Sequence, residues 1–166
     1  MTATIRSLLA LFSLFVLAGC QPVPVNPRPR IAEPPPGVMP DRAALTVQPP
    51  VDTDQNKHAD TVGVIVYLFP KPNEYAMPIW THGSYRFVLT SSVDGTEMAV
   101  WSYDPDQTAD ARFRTEIGPC YMFQLRLADV GVSDEFERRA CELRAVFTPT
   151  DGGTPVDGRI SYQLGG

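Results

Sequence analysis

From Asp60 onward apolar residues recur at every second position, and no helical period is sustained for ten residues. That periodicity admits strands and little else. Val62, Val64, Val66 and Leu68 alternate along a β-branched run, with Ile65, Tyr67 and Phe69 between them. A run apolar on both sides predicts a strand covered on both faces, or an edge strand covered by a loop. Tyr85, Phe87 and Leu89 oppose Ser84, Arg86 and Thr90, and Asp94-Gly95 is a two-residue turn signal leading into Glu97–Tyr103. Pro78 interrupts the segment from Tyr75 to Trp80 and predicts a short edge strand there.

Three further alternating runs follow. Phe113, Thr115 and Ile117 oppose Arg112, Arg114 and Glu116, and Tyr121, Phe123, Leu125 and Leu127 oppose Met122, Gln124 and Arg126. Cys141, Leu143, Ala145 and Phe147 oppose Ala140, Glu142 and Arg144, and Ile160, Tyr162 and Leu164 form a last short strand. Asp129 to Phe136 has room for one helical turn, and so has Asp104 to Ala111, where Asp104 followed by Pro105 fits an N-cap and first helical position. Seven or eight short strands in about 107 residues predict an all-β fold, an immunoglobulin-like antiparallel β-sandwich before a small open barrel. Trp101 is expected to pack near Phe87. The Cys…Trp…Cys order of antibody domains is absent, because Trp101 precedes both Cys120 and Cys141.

The start of the chain obeys different rules. Arg6 and the amino terminus precede an apolar segment, Leu8 to Ala18, the form of a secretory signal. Eleven residues cannot cross a hydrocarbon core of about 30 Å, which needs about 20. The next residues, Leu17-Ala18-Gly19-Cys20, resemble the lipobox of bacterial lipoproteins. That resemblance implies cleavage before Cys20 and acylation of its sulfur and new amine. Several acyl chains at about 0.8 kcal/mol per buried CH₂ make a stable anchor. Gln21, in place of the aspartate that retains some lipoproteins at the inner membrane, points to an outer-membrane or surface location in the cell envelope.

Ten of the chain's 17 prolines lie between Gln21 and Pro50. Proline lacks a backbone donor and holds its predecessor extended, so this stretch reads as a semi-rigid spacer. Val51 to Ala59 continues it as polar, unpatterned chain. The expected organisation is therefore a signal peptide over 1–19, a lipidated cysteine and proline-rich linker over 20–59, and a sandwich domain over 60–166. The chain also resembles short lipoproteins of planctomycete-type bacteria, on Val64-Ile65-Val66-Tyr67-Leu68-Phe69 and on Gly118-Pro119-Cys120-Tyr121-Met122-Phe123-Gln124-Leu125. This likeness implies the fold and no chemistry.

With 19 acidic against 14 basic residues, the chain lacks the clustered basic surface that phosphate contacts need, so nucleic acid is not expected as a partner. The membrane, through the lipid, is the expected contact, with another envelope protein or a glycan as partner of the domain. No cofactor or metal is expected. Asp104, Asp106 and Asp110 match three calcium-loop positions by type only, since Ala109 stands where a glycine is required and Thr115 where a carboxylate is. His82-Gly83-Ser84 lacks a third orienting group and reads as a surface turn, so no catalytic residue is assigned. Tyr75, Trp80 and Tyr85 are the candidate binding patch, flanked by Met77, Tyr67 and Phe69.

Cys120 and Cys141 remain as an even pair in an oxidising compartment, which invites a disulfide. Their alternation opposes it, because Cys141 shares the face of Leu143 and Phe147 whereas Cys120 lies opposite to Tyr121. A hairpin turning around Val130 to Asp134 would also put them several rungs out of register, and bonded Cα atoms must lie within about 7 Å. The competing expectation is a buried Cys141 and a partly exposed Cys120.

Overall fold

A computed structural model describes residues 33–135 and 138–164. The expected signal segment, the lipobox-like residues Leu17, Ala18 and Gly19, the expected acylation site Cys20 and the first part of the expected linker lie outside the described residues. Eight strands form two four-stranded sheets. They are β1 (Arg42–Val47), β2 (Thr61–Phe69), β3 (Gly83–Ser91), β4 (Glu97–Tyr103), β5 (Arg112–Arg114), β6 (Pro119–Arg126), β7 (Arg139–Pro149) and β8 (Val156–Leu164). Among the described residues one α-helix, α1 (Pro105–Asp110), joins β4 to β5.

One sheet has the order β1-β2-β6-β5 and the other β4-β3-β7-β8, and every pairing is antiparallel. Lettered in chain order, these are the ABED and C′CFG sheets of an immunoglobulin-like sandwich. The alternation of the sequence selects the inner faces. Val62, Val64, Val66 and Leu68 of β2 meet Tyr85, Phe87, Leu89, Leu143, Ala145 and Phe147 of the other sheet in one buried cluster. Phe123 lies between them, with its ring centroid 5.0 Å from that of Tyr85 and 4.9 Å from that of Phe87. Trp101 stands opposite Phe87 across the β3–β4 ladder, as expected.

Both local signals are realised. Gly95 takes φ +73° in the β3–β4 turn, a left-handed conformation that glycine adopts without cost. The Asp104 side chain accepts from Gln107 N at 2.8 Å and the Gln107 side chain from Asp104 N at 3.0 Å, a complete capping box.

The first strand corrects the expected domain boundary. Arg42–Val47 lies inside the stretch read as spacer, yet pairs with β2 from Arg42 opposite Phe69 to Val47 opposite Val64. The six residues fall between Pro40 and Pro49, so every backbone donor the ladder needs is present. Its other side rests on β8, where Gly158 leaves so little space that a Cβ would meet Ala43 O at 2.6 Å.

Two further expectations change. β6 and β7 are not a hairpin: they belong to opposite sheets and are joined across the sandwich through a 3₁₀ turn at Ala128–Val130. The run at Phe113, Thr115 and Ile117 forms only three residues of strand, and Phe113 and Ile117 are exposed rather than inward. β5 pairs only with the start of β6 and stops before the core.

Candidate functional site

The expected patch of Tyr75, Trp80 and Tyr85 is not one surface. Tyr85 is a core residue, 1% exposed, because it stands on the inward face of β3 with Phe87 and Leu89. Its ring packs on Tyr121, Phe123 and Phe147 at centroid distances of 4.9 to 5.3 Å. Burial pushes its phenol well above the ordinary tyrosine value, and its hydroxyl has no hydrogen-bond partner. Tyr75 is half-buried in the β2–β3 connection.

Trp80 does reach the surface. The connection returns along β2, with Ile79 bridging Leu68, and the Tyr121 hydroxyl fixes its end by accepting from Thr81 N at 2.8 Å and donating to Thr81 O at 2.7 Å. Trp80 therefore lies against the start of β6 and donates its indole N–H to Cys120 O at 2.8 Å. The Arg114 guanidinium stands 5.1 Å from the centre of its ring. Phe113 and Ile117, from β5 and the turn after it, are about half exposed. The candidate interaction surface is thus Trp80 with Arg114, and Phe113 and Ile117 are further exposed apolar residues of β5 and the turn after it. Alternation misassigned the last two, because it identifies faces only where a second layer exists to cover them.

The outer faces of the two sheets differ in chemistry. On the β4-β3-β7-β8 sheet, Arg86 pairs with Glu97, Arg144 with Asp157, and Arg159 with both Asp157 and Glu142, at 3.0 to 3.9 Å. These are exposed pairs of small individual worth that mark a solvated face. The other sheet carries Ile65, Tyr67, Phe69 and Met122 outward. Tyr67 is covered by the β5–β6 turn, where its hydroxyl lies 3.0 Å from Thr115 Oγ1, and Phe69 by the Arg42 guanidinium at 4.7 Å.

No disulfide joins the two domain cysteines: both are free and buried. Cys120 begins β6 in one sheet, whereas Cys141 lies near the start of β7 in the other, opposite Ser91 at the far end of β3. In the lettered scheme these are strands E and F, while the bridge of antibody domains joins B and F. Cys120 is fully buried rather than partly exposed, since its thiol lies 3.5 Å from Phe113 O at the seam with β5. Burial raises the pKa of both thiols, which lowers the thiolate fraction and with it reactivity.

The segment 51–59, expected to be polar, unpatterned linker, is instead an ordered loop, with Val51 bridging Thr61. Asp52 accepts backbone N–H bonds from Gln55, Asn56 and Lys57 at 2.6 to 3.2 Å. Asp60, 8% exposed, accepts from the amide and hydroxyl of Thr53 at 3.0 and 2.5 Å. Burial works against both carboxylates, but these donors outweigh it and lower the pKa of each. Among the described residues no three His, Cys, Asp or Glu side chains are grouped to hold a metal ion. His82 is an exposed residue immediately before β3, and its carbonyl accepts from Thr150 N.

No protein family matches the chain, and no curated protein matches it. Among solved structures, a copper-bound variant of FetP from uropathogenic Escherichia coli strain F11 is similar to 78% of this chain and 89% of its own, at 11% identity and a TM-score of 0.41.

Proposed function

We propose that this chain is a non-catalytic, lipid-anchored protein of the bacterial cell envelope, whose immunoglobulin-like domain gives structural support or binds another envelope protein. One observation carries the reading: Leu17-Ala18-Gly19-Cys20 directly follows an eleven-residue apolar segment of signal form. The position of β1 shortens the spacer to about twenty residues, Cys20 to Pro40, which spans about 60 Å when extended at about 3.1 Å per residue. That reach holds the sandwich clear of an outer membrane, on its periplasmic face or at the surface.

The test is lipidation itself. The wild-type chain should incorporate labelled palmitate and sediment with membranes, and Cys20→Ala should do neither. A Cys20→Ala chain that stays membrane-bound refutes the anchor. A second reading, a glycan- or peptide-binding module, is favoured by the exposure of Trp80 beside Arg114, since an aromatic face at a sheet edge suits a sugar ring or an extended peptide. Retention on purified wall polysaccharide, reduced by Trp80→Ala, would support that reading over capture of a protein partner.

A further inference from the structure

The sandwich end at which β1 begins holds a cleft of about 610 Å³, within the size range of small-ligand sites, and Trp80 is not among its lining residues. Its walls are held in place. Pro40 on one side and Pro155 on the other have fixed backbone φ. Asp41 N donates to Phe69 O at 2.8 Å, which ties the entry segment to β2. Gly153 lets the β7–β8 turn approach so closely that a Cβ there would meet Met39 Cε at 2.6 Å. On the third side Glu74 N donates to Lys71 O at 2.9 Å, closing a turn that sets both side chains on one rim.

Of the five charged residues that line this cleft, one is paired and four are not. Asp157, also at the rim, is occupied by Arg144 and Arg159. Arg42, Lys71, Asp41 and Glu74 form no ion pair within 4 Å among the described residues. Arg42 is instead positioned by its stacking on Phe69. Two unpaired cations and two unpaired carboxylates thus border one cleft beside the paired Asp157, with Met39 and Pro155 giving it an apolar wall. A polyanion or polycation would meet like charge there, whereas a compact zwitterion finds a counter-charge for each of its ends.

We infer that this cleft binds a short peptide with free termini. Arg42 and Lys71 take the carboxylate, Asp41 and Glu74 take the ammonium, and the apolar wall takes a side chain. The inference specifies a ligand class for the binding-module reading but stands apart from the lipid anchor and from Trp80. Its test therefore uses the unacylated chain from residue 20 onward carrying Cys20→Ser.

Titration with trialanine, followed by amide chemical shifts, should move resonances of 39–42, 71–74 and 153–157. Acetylating the amine and amidating the carboxylate should weaken binding about tenfold or more, the loss expected for charge-assisted contacts. Lys71→Ala and Glu74→Gln, both on an exposed turn, should each weaken it about fivefold and leave the remaining spectrum unchanged. No shift at the cleft up to about 10 mM peptide overturns the proposal, that concentration marking the weak end of specific affinity. Equal affinity for the blocked peptide overturns it, and so does tighter binding of phosphoethanolamine than of trialanine. None of these results bears on acylation of Cys20.

Discussion

Two buried tyrosines in the same aromatic cluster should respond oppositely to loss of the hydroxyl. Tyr85 and Tyr121 are both at most 1% exposed, and their ring centroids lie 5.3 Å apart. Phenylalanine fills nearly the same volume, so packing is held constant and only the hydroxyl is tested. Tyr121→Phe leaves the N–H and C=O of Thr81 without partners. At about 1 kcal/mol for each net hydrogen bond, and with Thr81 half-exposed so that water recovers part of the desolvation cost, the loss is about 2 kcal/mol. Tyr85→Phe removes a hydroxyl that gives up water on folding and gains nothing in return. It should be neutral or stabilising by about 1 kcal/mol. Urea unfolding of the Cys20→Ser chain, read by the fluorescence of Trp80 and Trp101, resolves the difference. With m near 2 kcal/mol/M, Tyr121→Phe lowers the midpoint by about 1 M and Tyr85→Phe leaves it in place or raises it. Equal losses for both variants would refute the reasoning, and so would an unchanged midpoint for Tyr121→Phe.

Gly158→Ala should push β1 off β8, because the new Cβ meets the backbone of Ala43 and the Leu45 side chain. A cost of about 1–3 kcal/mol is expected in urea unfolding, with the amides of Arg42–Val47 losing hydrogen-exchange protection before the rest; uniform protection would contradict it. Asp60→Asn should cost about 1–2 kcal/mol at pH 7, since the ionised carboxylate anchors the loop through Thr53. The folded-state pKa of Asp60 is lowered, so its stabilisation is fully present above the unfolded value near 3.9 and is lost as pH falls through the folded one. The gap between wild type and variant should therefore close below about pH 4, and a constant gap would show that the charge is not involved.

The candidate surfaces were only partly legible in the sequence. Trp80 stood out because Pro78 breaks its segment, and its exposure agrees with that. Tyr85 had in fact been placed by its own alternation with Phe87 and Leu89, which outranks its nearness to Trp80 in sequence. Arg114, Phe113 and Ile117 came into view only once β5 proved to be three residues long. The cleft gave no signal at all, since its walls come from three segments far apart in the chain, 37–42, 71–74 and 153–157.

By itself the sequence determined the all-β class, the inward residues of β2, β3, β6 and β7, the turn at Asp94-Gly95 and the cap at Asp104. Each of these is a local property, set by a period of two or by the chemistry of a few adjacent residues. Only the tertiary structure decided which strands are neighbours, that β6 and β7 lie in different sheets, and hence that Cys120 and Cys141 stay apart. It also decided that Arg42–Val47 becomes a strand. A period of two states which face a side chain takes and nothing about its partner, and a short proline-free stretch pairs only where an unpaired edge such as that of β2 is waiting for it.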